Sequence, residues 1–373
     1  MIKMKLFFSS IIILFFTNLW SSNTVPSIAD GPYVNYRDKQ IVVTTIYHDG
    51  NGKKYVGADS FAVSSKKSIE LLVPTDEAGK NFVVKFKSKL ENEKAEYNKV
   101  KKQFIVSDIE ANFKAFRTLL QANGVIDENL DWTFGEGHLV LTGDFFDRGN
   151  QLNEVLWLIY SLEDKANAAK GYVHFILGNH EVMNLNADLR YVHPKYHENA
   201  QLMNRTYLSL FGDDTELGRW LRTKNIIERV GDMLCMHGGV SRYLNIMGLS
   251  LTEINGLARP YYADTSYNYP NVQTEIMFSD QGPLWYRGYY AGPANERATQ
   301  GQVDSSLQLF RAKFIATGHT IVAHTVGLYF NGKVFNTDVP HAQGISEAIL
   351  IEDNKFFKVN LKGERKEMVV EKS

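Results

Sequence analysis

Short runs of β-branched and aromatic residues, separated by polar turns, set the pattern of residues 30–100. Ile41-Val42-Val43-Thr44-Thr45-Ile46-Tyr47 ends at His48-Asp49-Gly50-Asn51-Gly52, a strong turn signal between two strands. Phe61-Ala62-Val63, Ile69-Glu70-Leu71-Leu72-Val73 and Phe82-Val83-Val84-Lys85-Phe86 predict further strands. Together they predict a small antiparallel β-rich module over 30–100. Lysines between 85 and 102, mixed with Glu91, Glu93 and Glu96, read as a solvated connector. From residue 101 short apolar runs alternate with helical periodicity, the signature of an α/β domain over 101–360. Phe113, Phe116, Leu119 and Leu120 form one helical stripe, with Gly124 placed as its stop. Leu156, Ile159, Tyr160 and Leu162 form a second, closed by Gly171. Residues 184–228 read as largely helical, with Leu208, Leu217, Trp220 and Leu221 in the core. Residues 361–373 read as a polar tail.

The first residues have a different pattern. Lys3 and Lys5 precede a mostly apolar run over 6–20, and Ser27-Ile28-Ala29 follows with small residues. This predicts a secretory signal over 1–29, cleaved after Ala29. An uncleaved anchor is the alternative, but the run falls short of the roughly 20 residues a spanning helix needs. The expected location is the bacterial periplasm or the medium, with no stable membrane insertion after cleavage.

Composition narrows the class. The 373 residues are 44% hydrophobic and carry a formal net charge of -1, which gives no basic field for nucleic acid. The single cysteine, Cys235, excludes an internal disulfide framework. It lies in an apolar run before Met236-His237-Gly238-Gly239, so it reads as a buried thiol and not as the nucleophile of a cysteine phosphatase.

Candidate chemistry lies where apolar runs end. Five times a strand-like run leads into a turn bearing metal-ligand residue types. Phe104-Ile105-Val106 leads into Asp108 and Glu110. Leu139-Val140-Leu141 leads into Gly143-Asp144-Phe145-Phe146-Asp147-Arg148-Gly149. Val173-His174-Phe175-Ile176-Leu177 leads into Gly178-Asn179-His180-Glu181. Met233-Leu234-Cys235-Met236 leads into His237, and Phe314-Ile315-Ala316 into Gly318-His319. In open α/β sheets sites form beyond the carboxyl ends of strands, so five such ends would converge Asp, Glu, Asn and His on one cleft. That mixture suits Mn, Fe or Zn better than an all-oxygen calcium cage. Each turn alone has a plain structural reading, such as a surface turn, a helix cap or a core histidine; it is the five together that point to a metal centre.

Gly143-Asp144-x-x-Asp147-Arg148-Gly149, Gly178-Asn179-His180-Glu181 and His237-Gly238-Gly239 resemble the signature set of calcineurin-like metallophosphatases of the phosphoprotein-phosphatase superfamily. Gly282-Pro283-Leu284-Trp285-Tyr286-Arg287-Gly288 and Leu217-Gly218-Arg219-Trp220-Leu221-Arg222 look most like its bacterial Shewanella-like branch. The resemblance spans roughly residues 103–351. It implies a β-sandwich flanked by helices (α-β-β-α) and two divalent metal ions, Mn favoured, with Fe, Zn or Mg as alternatives. It implies that Asp144 bridges the metals, that Asp108 and Glu110 hold the first, and that Asn179, His237 and His319 hold the second. A metal-activated water would then hydrolyse a phosphate monoester. His180 would protonate the leaving group, Asp147 would orient His180, and Arg148 with Asn179 would bind the phosphate, Arg287 serving as a further clamp.

Two positions depart from that pattern. The first motif usually reads Gly-Asp-x-His-Gly; here Ser107-Asp108-Ile109-Glu110-Ala111 puts a carboxylate where the histidine stands. A harder, negative ligand would shift the first site toward Mn or Mg, and loss of that site is the competing expectation. Near the C-terminus, Val334-Phe335-Asn336-Thr337-Asp338-Val339-Pro340-His341 replaces the Ser-Ala-Pro-Asn-Tyr-Cys segment of eukaryotic relatives. His138, His174, His193, His197 and His341 read as structural or exposed, His324 as a weaker ligand candidate, and Glu181 as an orienting group. Tyr261, Tyr262, Tyr267 and Tyr269 either wall a phosphoaryl site or pack on themselves. The expected substrate is a phosphorylated protein or peptide. A small phosphomonoester or nucleotide is the alternative, and a degraded, non-catalytic metal binder is the remote one.

Overall fold

The structure is a computed structural model describing residues 27–370. Residues 1–26 of the expected signal lie outside the described residues. Among those described, no helix is long and apolar enough to cross a membrane.

Two six-stranded sheets face each other. One runs in the order Arg365–Met368, Lys355–Asn360, Glu347–Glu352, Gln103–Val106, His138–Thr142, Tyr172–Ile176. The other runs Gly327–Tyr329, Val334–Asn336, Phe314–Thr317, Met233–Met236, Ile227–Val230, Glu96–Tyr97. Because strand side chains alternate faces, one set of residues fills the space between the sheets and the other meets the helices. Ile105, Val140, Ile176 and Ile349 from the first sheet meet Val230, Met233, Cys235, Ala316 and Phe335 from the second. Phe104, Leu139, Leu141 and Phe175 point outward into a core shared with the flanking helices. Cys235 is buried and its thiol is pushed up by burial, as befits a structural residue.

The helices follow their periodicity. Phe113–Ala122 is capped by Asn112, whose side chain accepts from the Ala115 N–H, and buries Phe113, Phe116, Leu119 and Leu120. Gly124 follows at φ 68°, a left-handed stop that costs glycine little. Leu152–Ala168 is buried nearly all round, because the first sheet lies on one side and N-terminal strands on the other.

Residues 184–228 differ from the helical expectation. Pro194–Leu202 and Glu216–Leu221 are short helices, Leu208–Phe211 is a 3-10 turn, and Ile227–Val230 is a strand. Leu217, Trp220 and Leu221 are buried as expected, whereas Leu208 is half-buried. Pro194 and Gly212 divide the stretch into pieces that tertiary contacts then fix.

The N-terminal strands Ser27–Arg37, Gln40–His48 and Lys54–Ala62 form an antiparallel sheet, and Glu70–Pro74 pairs with Asn81–Lys85. Ser27 and Ile28 are paired with His48 and Tyr47, so the expected cleavage point falls inside a strand. Asp30 is fully buried and accepts from Asn153, Asn199 and the Tyr33 hydroxyl, while Trp157 Nε1 donates to the Pro32 carbonyl. Within the expected solvated connector, Glu96–Tyr97 instead joins the second large sheet and Lys87 is buried. Arg365–Met368, from the expected polar tail, adds a charged edge strand to the first.

Candidate active site

Parallel pairing places the carboxyl ends of Gln103–Val106, His138–Thr142 and Tyr172–Ile176 side by side, and those of Met233–Met236 and Phe314–Thr317 opposite them. Asp108, Asp144, Asn179, His237 and His319 follow these five ends within three residues. Tight turns are needed there, and Asp108, Glu110, Asp144, Asp147, Arg148 and His319 all have φ between 51° and 69°. Left-handed backbone at a non-glycine residue costs about 1–3 kcal/mol and persists only where its surroundings impose it. Glycine makes the approach possible at Gly143, with φ 86° and the Gly178 backbone where a Cβ would stand.

The centre of the cluster is Asp144, His237 and His319, whose ligand atoms lie within 4.8 Å of one another. Asp144 Oδ2 is 3.0 Å from His237 Nε2, which is 3.1 Å from His319 Nδ1. His237 Nδ1 donates to the Thr142 carbonyl at 2.8 Å, and His319 Nε2 donates to the Trp285 carbonyl at 3.1 Å. Those bonds fix the tautomers, so the two facing nitrogens are both acceptors. Acceptors aimed at each other and at a carboxylate repel unless a cation lies among them. Asn179 Oδ1 is buried without any hydrogen-bond partner, another oxygen awaiting one. These donors fit a divalent metal. The buried His319 ring is held well below its ordinary pKa by burial, then by His237 and Arg287, and so stays a neutral ligand.

Beside this centre stands a proton-handling group. His180 Nδ1 bonds Asp147 Oδ2 at 2.6 Å, and Asn184 Nδ2 donates to Asp147 Oδ1 at 2.9 Å. The His180 Nε2 edge faces Asp144 Oδ2 at 3.6 Å and Arg148 Nη2 at 3.4 Å. Burial opposes the imidazolium, yet Asp144 and Asp147 raise the ring above its ordinary pKa, which favours the protonated form.

Glu181 acts as expected, by orienting its neighbours. Its carboxylate accepts from the backbone N–H groups of Gly178, Asp144, Phe145 and Phe146 at 2.6–3.2 Å. Glu181→Ala leaves four buried donors without an acceptor, at about 1–3 kcal/mol for each group that water does not reach. Stability in urea unfolding should therefore fall by at least about 3 kcal/mol. A loss within about 0.5 kcal/mol would mean the turn holds itself.

Asp108, Glu110, Asp144, Arg148, His180, Arg287 and His319 line one cleft of about 380 Å³. Glu110 reaches it, but its carboxylate pairs with Arg148 and is not among the Asp144, His237 and His319 donors. Arg287 donates to the His319 carbonyl and to Thr320 Oγ1, so it braces a ligand turn while lining the cleft. His324 is exposed and outside the cluster. His341 is buried, and its Nε2 lies 3.1 Å from the Ser107 carbonyl beside Asp108. The tyrosine loop packs largely on itself: Tyr262 is buried, Tyr261 meets Tyr269, and Tyr269 stacks on Phe278. The aromatic ring beside the proton-handling group is instead Tyr191, half-exposed, 5.2 Å from the ring of His180 and under the Arg148 guanidinium. Sequence reasoning missed it and also missed Asp338, which lines the cleft.

Paired sheets, a cluster of metal donors and an adjacent Asp–His pair with a guanidinium at the cleft define a metal-dependent hydrolase of phosphate esters. The chain belongs to the calcineurin-like phosphoesterase family, whose pattern matches residues 102–323. It is similar along nearly its whole length to the cold-active protein-tyrosine phosphatase of a psychrophilic Shewanella species. That match has 35% identity and a TM-score of 0.81, covering 93% of this chain and 100% of the other. It is 26% identical over 303 residues to Shewanella-like protein phosphatase 1 of Plasmodium berghei, covering 77% of this chain and 82% of that one. A symmetrical bis(5'-nucleosyl)-tetraphosphatase of Buchnera aphidicola is 29% identical over only 158 residues, covering 40% and 50%.

Proposed function

We propose that the protein is an exported phosphoprotein phosphatase with a preference for phosphotyrosine, working with two divalent cations, of which manganese fits best. The observation that carries the reading is the Asp144–His237–His319 cluster with Asp147–His180 and Arg148 at its edge. Two divalent cations, when bound, supply an activated water and neutralise charge on the phosphoryl oxygens. Asp108 and Asp144 would hold the first, and Asp144, Asn179, His237 and His319 the second. Arg148, while paired with Glu110, presents the remaining donors of its planar fork to the substrate phosphate. His180, held in one tautomer by Asp147, donates its Nε2 proton to the departing oxygen.

Protein is favoured over nucleotide because the likeness to the tyrosine phosphatase covers 93% of the chain, whereas that to the tetraphosphatase covers less than half of it. The half-exposed Tyr191, beside Arg148 and His180, gives an aromatic leaving group a face to lie on. Export rests on the lysine-flanked apolar N-terminus alone.

The test is an assay of metal-stripped protein with Mn, Mg, Zn, Fe or Ni restored, on phosphotyrosine and phosphoserine peptides and on diadenosine tetraphosphate. Metal-dependent turnover with phosphotyrosine leading in kcat/KM is expected. Tyr191→Ala should raise KM for the phosphotyrosine peptide by about 5–10-fold, an aromatic contact of roughly 1 kcal/mol, with little change for phosphoserine. A tenfold lead for the dinucleotide would replace this reading by the nucleotide one.

A further inference from the structure

A sixth strand end carries a carboxylate that the motifs leave unused. Strand Val334–Asn336 lies parallel to Phe314–Thr317 with Thr317 opposite Asn336. His319 stands two residues beyond the end of one strand, and Asp338 two residues beyond the end of the other. Asp108 and Asp144 stand two residues beyond Val106 and Thr142 in the same way. Asp338 thus repeats the placement of Asp108, Asp144 and His319.

Its environment repeats theirs too. Asp338 is 6% exposed and lines the cleft with Asp108, Asp144 and His319. Its N–H donates to Asn336 Oδ1 at 2.8 Å, and Asn336 Nδ2 donates to the Thr320 carbonyl at 2.8 Å, so the turn is held on both sides. Yet its carboxylate oxygens accept no hydrogen bond and form no ion pair among the described residues. Burial and the neighbouring Asp144 disfavour its charge, and His237, Arg148 and Arg287 offset this only in part. A bound divalent ion reverses that balance.

Glu110 does not meet the need. It stands where the resembling family has a ligand histidine, but its carboxylate is taken up by Arg148. We propose that Asp338 is a ligand of the first cation, beside Asp108 and Asp144, and that Glu110 is a partner of Arg148 and not a ligand. The first site is then built of carboxylates, a set for a hard divalent cation such as Mn or Mg. This rests on the two-cation reading above.

Metal-free full-length protein titrated with Mn(II) tests it by calorimetry and electron paramagnetic resonance, without any assay of activity. The wild type is expected to take up two ions and show the signal of a coupled pair. Asp338→Asn should bind one of them more than about 100-fold more weakly, since even residues behind the ligands cost 10–100-fold. Its spectrum should be that of an isolated Mn(II). Glu110→Gln should keep both ions and the coupled signal, and Asp338→Glu, which retains the carboxylate, should keep the second ion. Two tightly bound, coupled ions in Asp338→Asn would overturn the proposal, as would loss of an ion in Glu110→Gln. If the wild type binds no divalent ion, the two-cation reading itself fails and takes this one with it.

Discussion

His180→Ala is expected to lower kcat on a phosphoserine peptide by about 10²–10⁴-fold, and on p-nitrophenyl phosphate by far less. The difference follows from the leaving groups. A serine alkoxide is too basic to depart without a proton, whereas p-nitrophenolate leaves unaided. His180 is placed to give that proton: Asp147 holds Nδ1 at 2.6 Å, Asn184 holds Asp147, and Nε2 faces the cleft. It forms no part of the Asp144–His237–His319 donor set, so metal content should stay unchanged. Asp147→Asn should share the leaving-group dependence in weaker form, because it frees the ring without removing it. Parallel kinetics on the two substrates, with metal counted in each preparation, check this. Equal losses on both would show that His180 serves binding or metal retention and not proton transfer.

The parts of the site legible in the sequence are those carried locally. An apolar run, a glycine and a ligand residue within three positions need only the strand to form and to lie parallel to its neighbours. The structure brings Asp108, Asp144, Asn179, His237 and His319 together in that way. Asp338 obeys the same rule but escaped notice, because Asn336-Thr337-Asp338 matches none of the motifs that the resemblance supplied. The pairing of Glu110 with Arg148 joins two different turns, and its sign could not be read from either alone. Tyr191 lies in a polar stretch without periodicity, and only the turn after Asn179–Leu185 brings it to His180. The same holds for the fold. The amphipathic helix at Phe113–Ala122 shows in its stripe, whereas 184–228 was misread because proline and glycine divide it into elements shorter than one period pattern can define. Strand Ser27–Arg37 was hidden by the signal-like residues before it, and buried Asp30 ties it to Asn153 and Asn199 across the chain.

Gly178→Ala is expected to disable the site while leaving the fold standing. A Cβ there would lie 2.3 Å from Asp144 Oδ1 and 2.6 Å from the Asp144 backbone nitrogen. Real Cβ atoms do not approach so closely, and the backbone contact cannot swing aside as a flexible side chain would. Asp144 must therefore move, and its carboxylate lies 3.0 Å from His237 and 3.6 Å from His180. A displacement of about 1 Å at such a group costs on the order of 100-fold in rate. Here both metal retention and the phosphate-facing edge depend on it, so kcat/KM should fall by at least that much and metal should be lost on gel filtration. The φ of Gly178 is -94°, so no left-handed strain is added, and the two sheets that make the core are untouched. Gly256→Ala is the matched control. That glycine lies inside helix Leu251–Ala258 with nothing within 4 Å of a new Cβ, so the change should leave activity intact and add up to about 1 kcal/mol of helix propensity. If Gly178→Ala keeps its metal and its rate, the loop yields more than the geometry allows, and the placement of Asp144 at the centre of the site must be given up.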